Sequence, residues 1–263
     1  MSSFLKASKV FATTFNTQEY FESLSAEFTK SSLITTIESK ETPLLFLLGE
    51  PGVGKTYMLH LLKEHFSDQF LLFSTEPFST PESFLHFLLQ ERDYDPNMSL
   101  TELKNLTTEY FKEFSNHLIV IDEAQLLHDS VLEFIRILSD TGHFNFLLSM
   151  HKKEGDAIVK KSHFASRTHR VITLGFLEVA EIQRYIEAQL LSHELGNLSE
   201  LFSKKQTKLI AKFSEGNFRV VKQLLKHIFS IMDYAKSNGH DKYITPTPCV
   251  ITMAAIDLGI IDA

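Results

Sequence analysis

Eight consecutive residues, Gly49-Glu50-Pro51-Gly52-Val53-Gly54-Lys55-Thr56, combine a pliant backbone, one ammonium and one hydroxyl in the order that a triphosphate demands. They satisfy the pattern G-x-x-x-x-G-K-[ST] at every fixed position. Glycine lets the backbone curl until successive N–H groups point inward at phosphate oxygens. Lys55 brings a point charge to the β- and γ-phosphates, and the Thr56 hydroxyl is placed to ligate Mg2+. The stretch from Gly49 to Tyr57 is therefore the candidate nucleotide-binding segment.

A second constellation lies downstream. Leu118-Ile119-Val120-Ile121 is an apolar run that ends in the adjacent carboxylates Asp122 and Glu123. In a protein with such a phosphate loop, Asp122 is expected to hold Mg2+ together with Thr56, and Glu123 to orient and deprotonate an attacking water. No N-K-x-D segment is present to select guanine, so ATP is the expected nucleotide and ATP hydrolysis the expected reaction.

These groups must be positioned by a scaffold, and the pattern of apolar runs describes one. Pro43–Leu48 and His117–Asp122 read as short buried strands, and Phe70–Thr75, Phe144–Ser149 and Val171–Leu174 as further short strands. Between them fall helical stretches: Tyr57–Phe66, a helix capped by Thr80 with Pro81 in its first turn, Ser99–Phe114 and Val131–Leu138. A leading helix is expected over residues 17–39, with Tyr20, Phe21, Leu24 and Phe28 on one stripe. Alternating strands and helices predict a five-stranded parallel α/β sheet covered on both faces. After Leu177 the strand pattern stops. Glu178–Leu191, Lys204–Phe213, Phe218–Ala235 and Val250–Leu258 read as helices, which divides the chain into an α/β core over 1–175 and a small helical domain over 176–263.

With 43% hydrophobic and 22% charged residues, the 263-residue chain has the composition of a soluble globular protein. Its single cysteine excludes an internal disulfide and points to a reducing compartment. The twelve histidines show no zinc spacing. No apolar run is long enough to span a bilayer, and no secretory signal is read at the N-terminus. The expected location is the cytoplasm. A formal charge of −7 disfavours nonspecific DNA binding over the whole surface. It leaves room for a local patch, and Lys204, Lys205, Lys208, Lys212, Arg219, Lys222 and Lys226 concentrate positive charge late in the chain.

Asp122-Glu123-Ala124-Gln125, followed by Leu126-Leu127 and by Val131 through Ser139, resembles the AAA+ ATPases of the ExeA/GspA/MshM type, in which a DEAQ motif precedes a helix of the form LExLRLLS. Arg167 through Leu177, with Glu181, Tyr185, Ile186 and Leu190, is similar to a later segment of that family. Gly216-Asn217-Phe218-Arg219 resembles its G-x-P-R. The resemblance implies an AAA+ fold with a helical lid. It implies that Arg219 reaches the γ-phosphate, and that Arg167, with Arg170 as the alternative, is offered to a neighbouring copy's nucleotide in a homo-oligomer. Where the family shows G-Q-P-E-L, this chain has Met150-His151-Lys152-Lys153-Glu154, which makes His151 or Ser149 the candidate γ-phosphate sensor. The implied role is a nucleotide-driven assembly switch for a bacterial envelope machine, either type II secretion or an MSHA-type pilus. Its protein partner would then lie at the inner membrane, and the chain would dock there peripherally. The alternative is a DNA-associated regulator of transposition, like the TniB and MuB ATPases, or of replication initiation. A DEAx helicase is disfavoured, since no second RecA-like core follows.

Overall fold

The apolar runs build the sheet. Strands β1 (Leu44–Gly49), β2 (Leu71–Ser74), β3 (Leu118–Ile121), β4 (Phe146–His151) and β5 (Arg170–Thr173) pair in the order β2-β3-β4-β1-β5, every pair parallel. The computed structural model describes residues 2–12, 21–66, 71–90, 92–113, 117–166 and 168–262. By contact density the chain forms two compact units. One comprises Ala26–Pro51 and Lys55–Leu174, and the other comprises Met1–Ser25, Gly52–Gly54 and Gly175–Ala263.

The first unit holds the sheet. Alternate strand residues Leu44, Phe46, Leu48, Ile119, Ile121, Phe146, Leu148 and Met150 form one core. That core is shared with α4 (Pro81–Leu88), α5 (Leu100–Glu113), α6 (Asp129–Ser139), α7 (Lys152–Val159) and α8 (Ser162–Ala165). The residues of opposite parity, Leu45, Leu47, Val120 and Leu147, are buried as well. Apolar side chains on both sides explain why these strands read as continuous hydrophobic runs rather than alternating ones. Helix α3 (Lys55–His65) meets β1 and buries Met58, Leu59 and Leu62. Thr80 caps α4 by accepting from the Ser83 N–H at 3.2 Å, with Pro81 in the first turn as the sequence predicts.

Three expectations need correction. The leading helix, α2, runs only from Leu24 to Ser39, and the expected positions 17–20 lie outside the described residues. Of its expected stripe, Leu24 is 71% and Phe28 75% exposed, Phe21 lies edge-on to Tyr185 at 5.2 Å, and Tyr20 lies outside the described residues. The buried positions are Thr29, Leu33 and Thr36, a slim face that lets the Thr29 hydroxyl reach the Thr173 carbonyl on β5 at 3.4 Å. Strand β4 starts and ends two residues later than the sequence implied. The Phe146 N–H donates to the Pro43 carbonyl at 2.8 Å, which sets Leu44 opposite Phe146. Phe144 then stacks on Phe111, with centroids 4.8 Å apart, instead of pairing. The third correction is a set of short helices, α1 (Ser3–Val10), α7 and α8, none of which the sequence pattern predicts.

The second unit is helical. Helices α1 (Ser3–Val10), α9 (Val179–Ser192), α10 (Lys204–Ser214), α11 (Phe218–Ser237) and α12 (Pro248–Asp257) share one apolar cluster. Phe11 lies stacked on Phe229 at 5.7 Å and edge-on to Tyr185 at 5.9 Å, so the N-terminal residues are pinned to α11 and α9.

Candidate nucleotide-binding site

Parallel strands bring their carboxyl ends to one edge, and that edge is where open α/β sheets bind ligands. Gly49 ends β1, Asp122 follows β3, and His151 ends β4. The pairings Gly49↔His151 and Ile121↔Leu148 fix the alignment, and continuing the second by one residue sets Asp122 beside Ser149.

At the end of β1 the loop departs with Gly52 at φ +86° and Gly54 at φ +110°, conformations that L side chains rarely adopt. At Gly52 space is the second constraint, since a Cβ there would stand 2.7 Å from Asn217 Oδ1 and 3.0 Å from the Arg219 Cβ. Lys55, 5% exposed, folds its ammonium back onto the loop and donates to the carbonyls of Gly49 (2.9 Å) and Glu50 (3.2 Å). Thr56 Oγ1 donates to Asp122 Oδ2 at 2.6 Å. The structure therefore joins two residues 66 positions apart in the sequence, as a shared Mg2+ would require. Asp122 is 3% exposed, and its N–H donates to the Ser74 carbonyl at 2.8 Å, which holds it to the end of β2. Its other oxygen, Oδ1, accepts from the Glu123 N–H at 2.9 Å.

Glu123 adopts a left-handed backbone, φ +51° and ψ 35°, that costs a non-glycine residue of the order of 1 kcal/mol. The Asp122 side chain stabilises this bend. Glu123 Oε2 accepts a short hydrogen bond from Gln125 Nε2 and lies 3.2 Å from His151 Nε2. Gln125, quoted in the motif but given no role from sequence, is thus part of the site. The sequence signal for it was its place in the DEAQ motif, two residues after Glu123. Ser149 is fully buried, and its hydroxyl has no hydrogen-bond partner among the described residues.

The remaining expected residues are spread more widely. Tyr57 and Val53 sit in the loop-to-α3 segment, and Pro51 is exposed. Arg219 is exposed in the first turn of α11, where its N–H donates to the Gly52 carbonyl at 3.1 Å and to Asn217 Oδ1 at 3.1 Å. Arg170 is exposed on the edge strand β5. Arg167 lies outside the described residues. Among the described residues no cluster of three or more His, Cys, Asp or Glu side chains can hold a metal. The pair Thr56 and Asp122 suits the sparser demand of Mg2+, which takes one or two protein oxygens and completes its shell with phosphates and water.

Residues 38–157 match the family model described as AAA domain. Solved structures agree on the fold. The ORC1 protein of Aeropyrum pernix, determined in complex with DNA, matches at TM-score 0.64 and 12% identity, over 96% of this chain and 69% of that one. Cdc6p of Pyrobaculum aerophilum matches at 0.59 and 17%, over 88% and 66%. Thermotoga maritima RuvB, a Holliday junction branch migration motor, matches at 0.55 and 16%, over 89% and 68%. At these identities the likeness is one of fold, the α/β fold of the P-loop AAA+ ATPases. The comparison with curated proteins gave no match.

Proposed function

We propose that the chain binds ATP with Mg2+ and hydrolyses it to ADP and phosphate, and that it serves as a nucleotide-driven switch. The observation that carries this reading is the 2.6 Å contact between Thr56 and Asp122, with buried Lys55 next to Thr56 in the chain and Glu123 next to Asp122. The curled loop offers its N–H groups to the phosphates, and Lys55 exchanges its two loop carbonyls for phosphate oxygens. Thr56 and Asp122 would hold Mg2+, which when bound neutralises charge on the phosphate oxygens. Glu123 accepts a proton from water as that water attacks the γ-phosphorus, and ADP departs. The unpartnered hydroxyl of Ser149, in register with Asp122, favours Ser149 over His151 as the polar group that meets the γ-phosphate.

Calorimetry and phosphate release test this directly. Lys55→Ala should lose ATP binding, and retained micromolar affinity would overturn the loop's role. Glu123→Gln should bind ATP and hydrolyse it about a hundredfold more slowly, and unchanged turnover would remove Glu123 from the reaction. The roles of Arg219 and Arg167 rest on the resemblance. If Arg167 acts in trans, inactive Arg167→Ala and Lys55→Ala proteins should regain activity on mixing.

For the work the switch performs there are two readings. The DEAQ resemblance supports an envelope machine with a partner at the inner membrane. The exposed cations of α10 and α11, together with fold neighbours named for DNA junctions, replication initiation and DNA complexes, favour action on DNA. The DNA reading is the one we favour.

A further inference from the structure

The hydrolysis scheme above leaves Gln125 and His151 without a task, yet both converge on Glu123. Gln125 Nε2 donates to Glu123 Oε2, and His151 Nε2 stands 3.2 Å from the same oxygen. At its other end the Gln125 amide accepts from the His151 backbone N–H at 3.2 Å. The amide is therefore oriented at both ends, since reversing it would set donor against donor and acceptor against acceptor. It ties the residue that bends away from β3 to the last residue of β4, two positions beyond Ser149. The Glu123 backbone is already fixed by the bond from its N–H to Asp122. Both side-chain contacts fall on Oε2, and Oε1 takes part in neither.

We propose that Gln125 and His151 are positioning residues for the general base, fixing the Glu123 carboxylate through Oε2 so that Oε1 faces the attacking water. They carry into the base any movement that nucleotide imposes on the end of β4. The proposal rests on the reading of Glu123 as the base, and its test separates the two.

Full-length wild-type, Gln125→Ala, His151→Ala and His151→Gln proteins are compared, each with and without Glu123→Gln, for ATP dissociation constant and kcat. Gln125→Ala and His151→Ala should lower kcat by ten- to a hundredfold, the scale of misplacing a catalytic group by ~1 Å. ATP affinity should stay within about twofold, as expected for a group that acts only on the transition state. His151→Gln, which restores an N–H donor at the same place, should recover most of the rate. In the Glu123→Gln background the same substitutions should change nothing further, because their route to the reaction is gone. A rate loss that persists there, a loss of ATP affinity at unchanged kcat, or a rise in kcat would each overturn the proposal. An activity-free measurement guards the contact itself: Glu123→Gln should move the His151 ring proton resonances of nucleotide-free protein, and unmoved resonances overturn it. Wild-type protein that binds ATP without hydrolysing it would instead sink the role of Glu123, and the proposal with it.

Discussion

Ser149 shows what a single atom can disclose. A buried hydroxyl without a partner costs the folded state roughly 1–3 kcal/mol, and the Ser149 side chain is fully buried with its Oγ unpaired among the described residues. Leucine, alanine or valine would fill a β4 position more cheaply, so the hydroxyl fits a partner that arrives with ligand. Ser149→Ala should hold or raise the melting temperature of nucleotide-free protein, a gain of about 1 kcal/mol, while ATP turnover falls about tenfold. A melting temperature that drops while turnover stays intact would assign the hydroxyl a purely structural place. At this scale the sequence was legible as far as spacing goes: it singles out Gly49–Thr56 and Asp122-Glu123, whose residues Thr56 and Asp122 the fold brings together. It was not legible where chemistry depends on strand register. A strand ending at residue 149 would leave Ser149 at the rim; ending at His151, it buries Ser149 beside Asp122 and delivers the imidazole to Glu123.

Among the elements, two glycines separate kinds of constraint. In α7 a Cβ on Gly155 would stand 2.3 Å from Leu48 Cδ2, the far end of a flexible side chain on β1. Alanine favours a helix over glycine by about 1 kcal/mol, and overpacking opposes it by about 1–3 kcal/mol. Gly155→Ala should therefore range from neutral to destabilising by about 2 kcal/mol. Gly216 has φ +75°, and its Cβ would meet the Leu177 carbonyl oxygen at 2.4 Å, with backbone on both sides of the clash. Gly216→Ala should cost more, and denaturant midpoints of the two variants check the order. The G-x-x-R likeness around Arg219 thus contains a glycine kept for packing within the helical unit, where the Leu177 N–H also donates to its carbonyl at 2.9 Å. Helix α5 supplies a pH test. Glu102 accepts from the Ser99 hydroxyl at 2.6 Å and from the Ser99 N–H at 2.8 Å, and those bonds hold its carboxyl below the ordinary value of 4.5. A depressed carboxyl stabilises above its unfolded value and loses that contribution as pH falls below it. Acid unfolding of Glu102→Gln should accordingly start from lower stability near neutrality and converge on wild type at low pH. Strands β1, β3 and β4 were readable because both faces bury apolar residues, whereas the edge strand β5 buries only Ile172. Helices α1 and α7 were not, being eight residues each, with Lys152, Lys153 and Gly155 diluting any apolar period in α7.

For the whole molecule, the charge distribution decides which partner is plausible. The net charge is −7, so any attraction to a polyanion must be local. Among the described residues, the helical unit groups exposed cations on two of its helices. Lys204, Lys205, Lys208 and Lys212 are exposed on α10, opposite the buried Thr207 and Ile210, and Arg219 and Lys226 are exposed on α11. No described helix is long and apolar enough to cross a membrane. Phosphate neutralisation releases counterions, and log K falls with log salt by about 0.9 per contact on duplex DNA. If α10 lies on DNA through three or four lysines, the slope should be about −3 to −4, and Lys204→Ala with Lys208→Ala should make it shallower by about 2. Affinity should fall alike on every duplex sequence, because lysine contacts to phosphate position a protein without reading bases. Glu123→Gln protein loaded with ATP provides the state in which to measure it. A slope near zero, or one that the lysine substitutions leave unchanged, would remove α10 from DNA and return the envelope partner to first place.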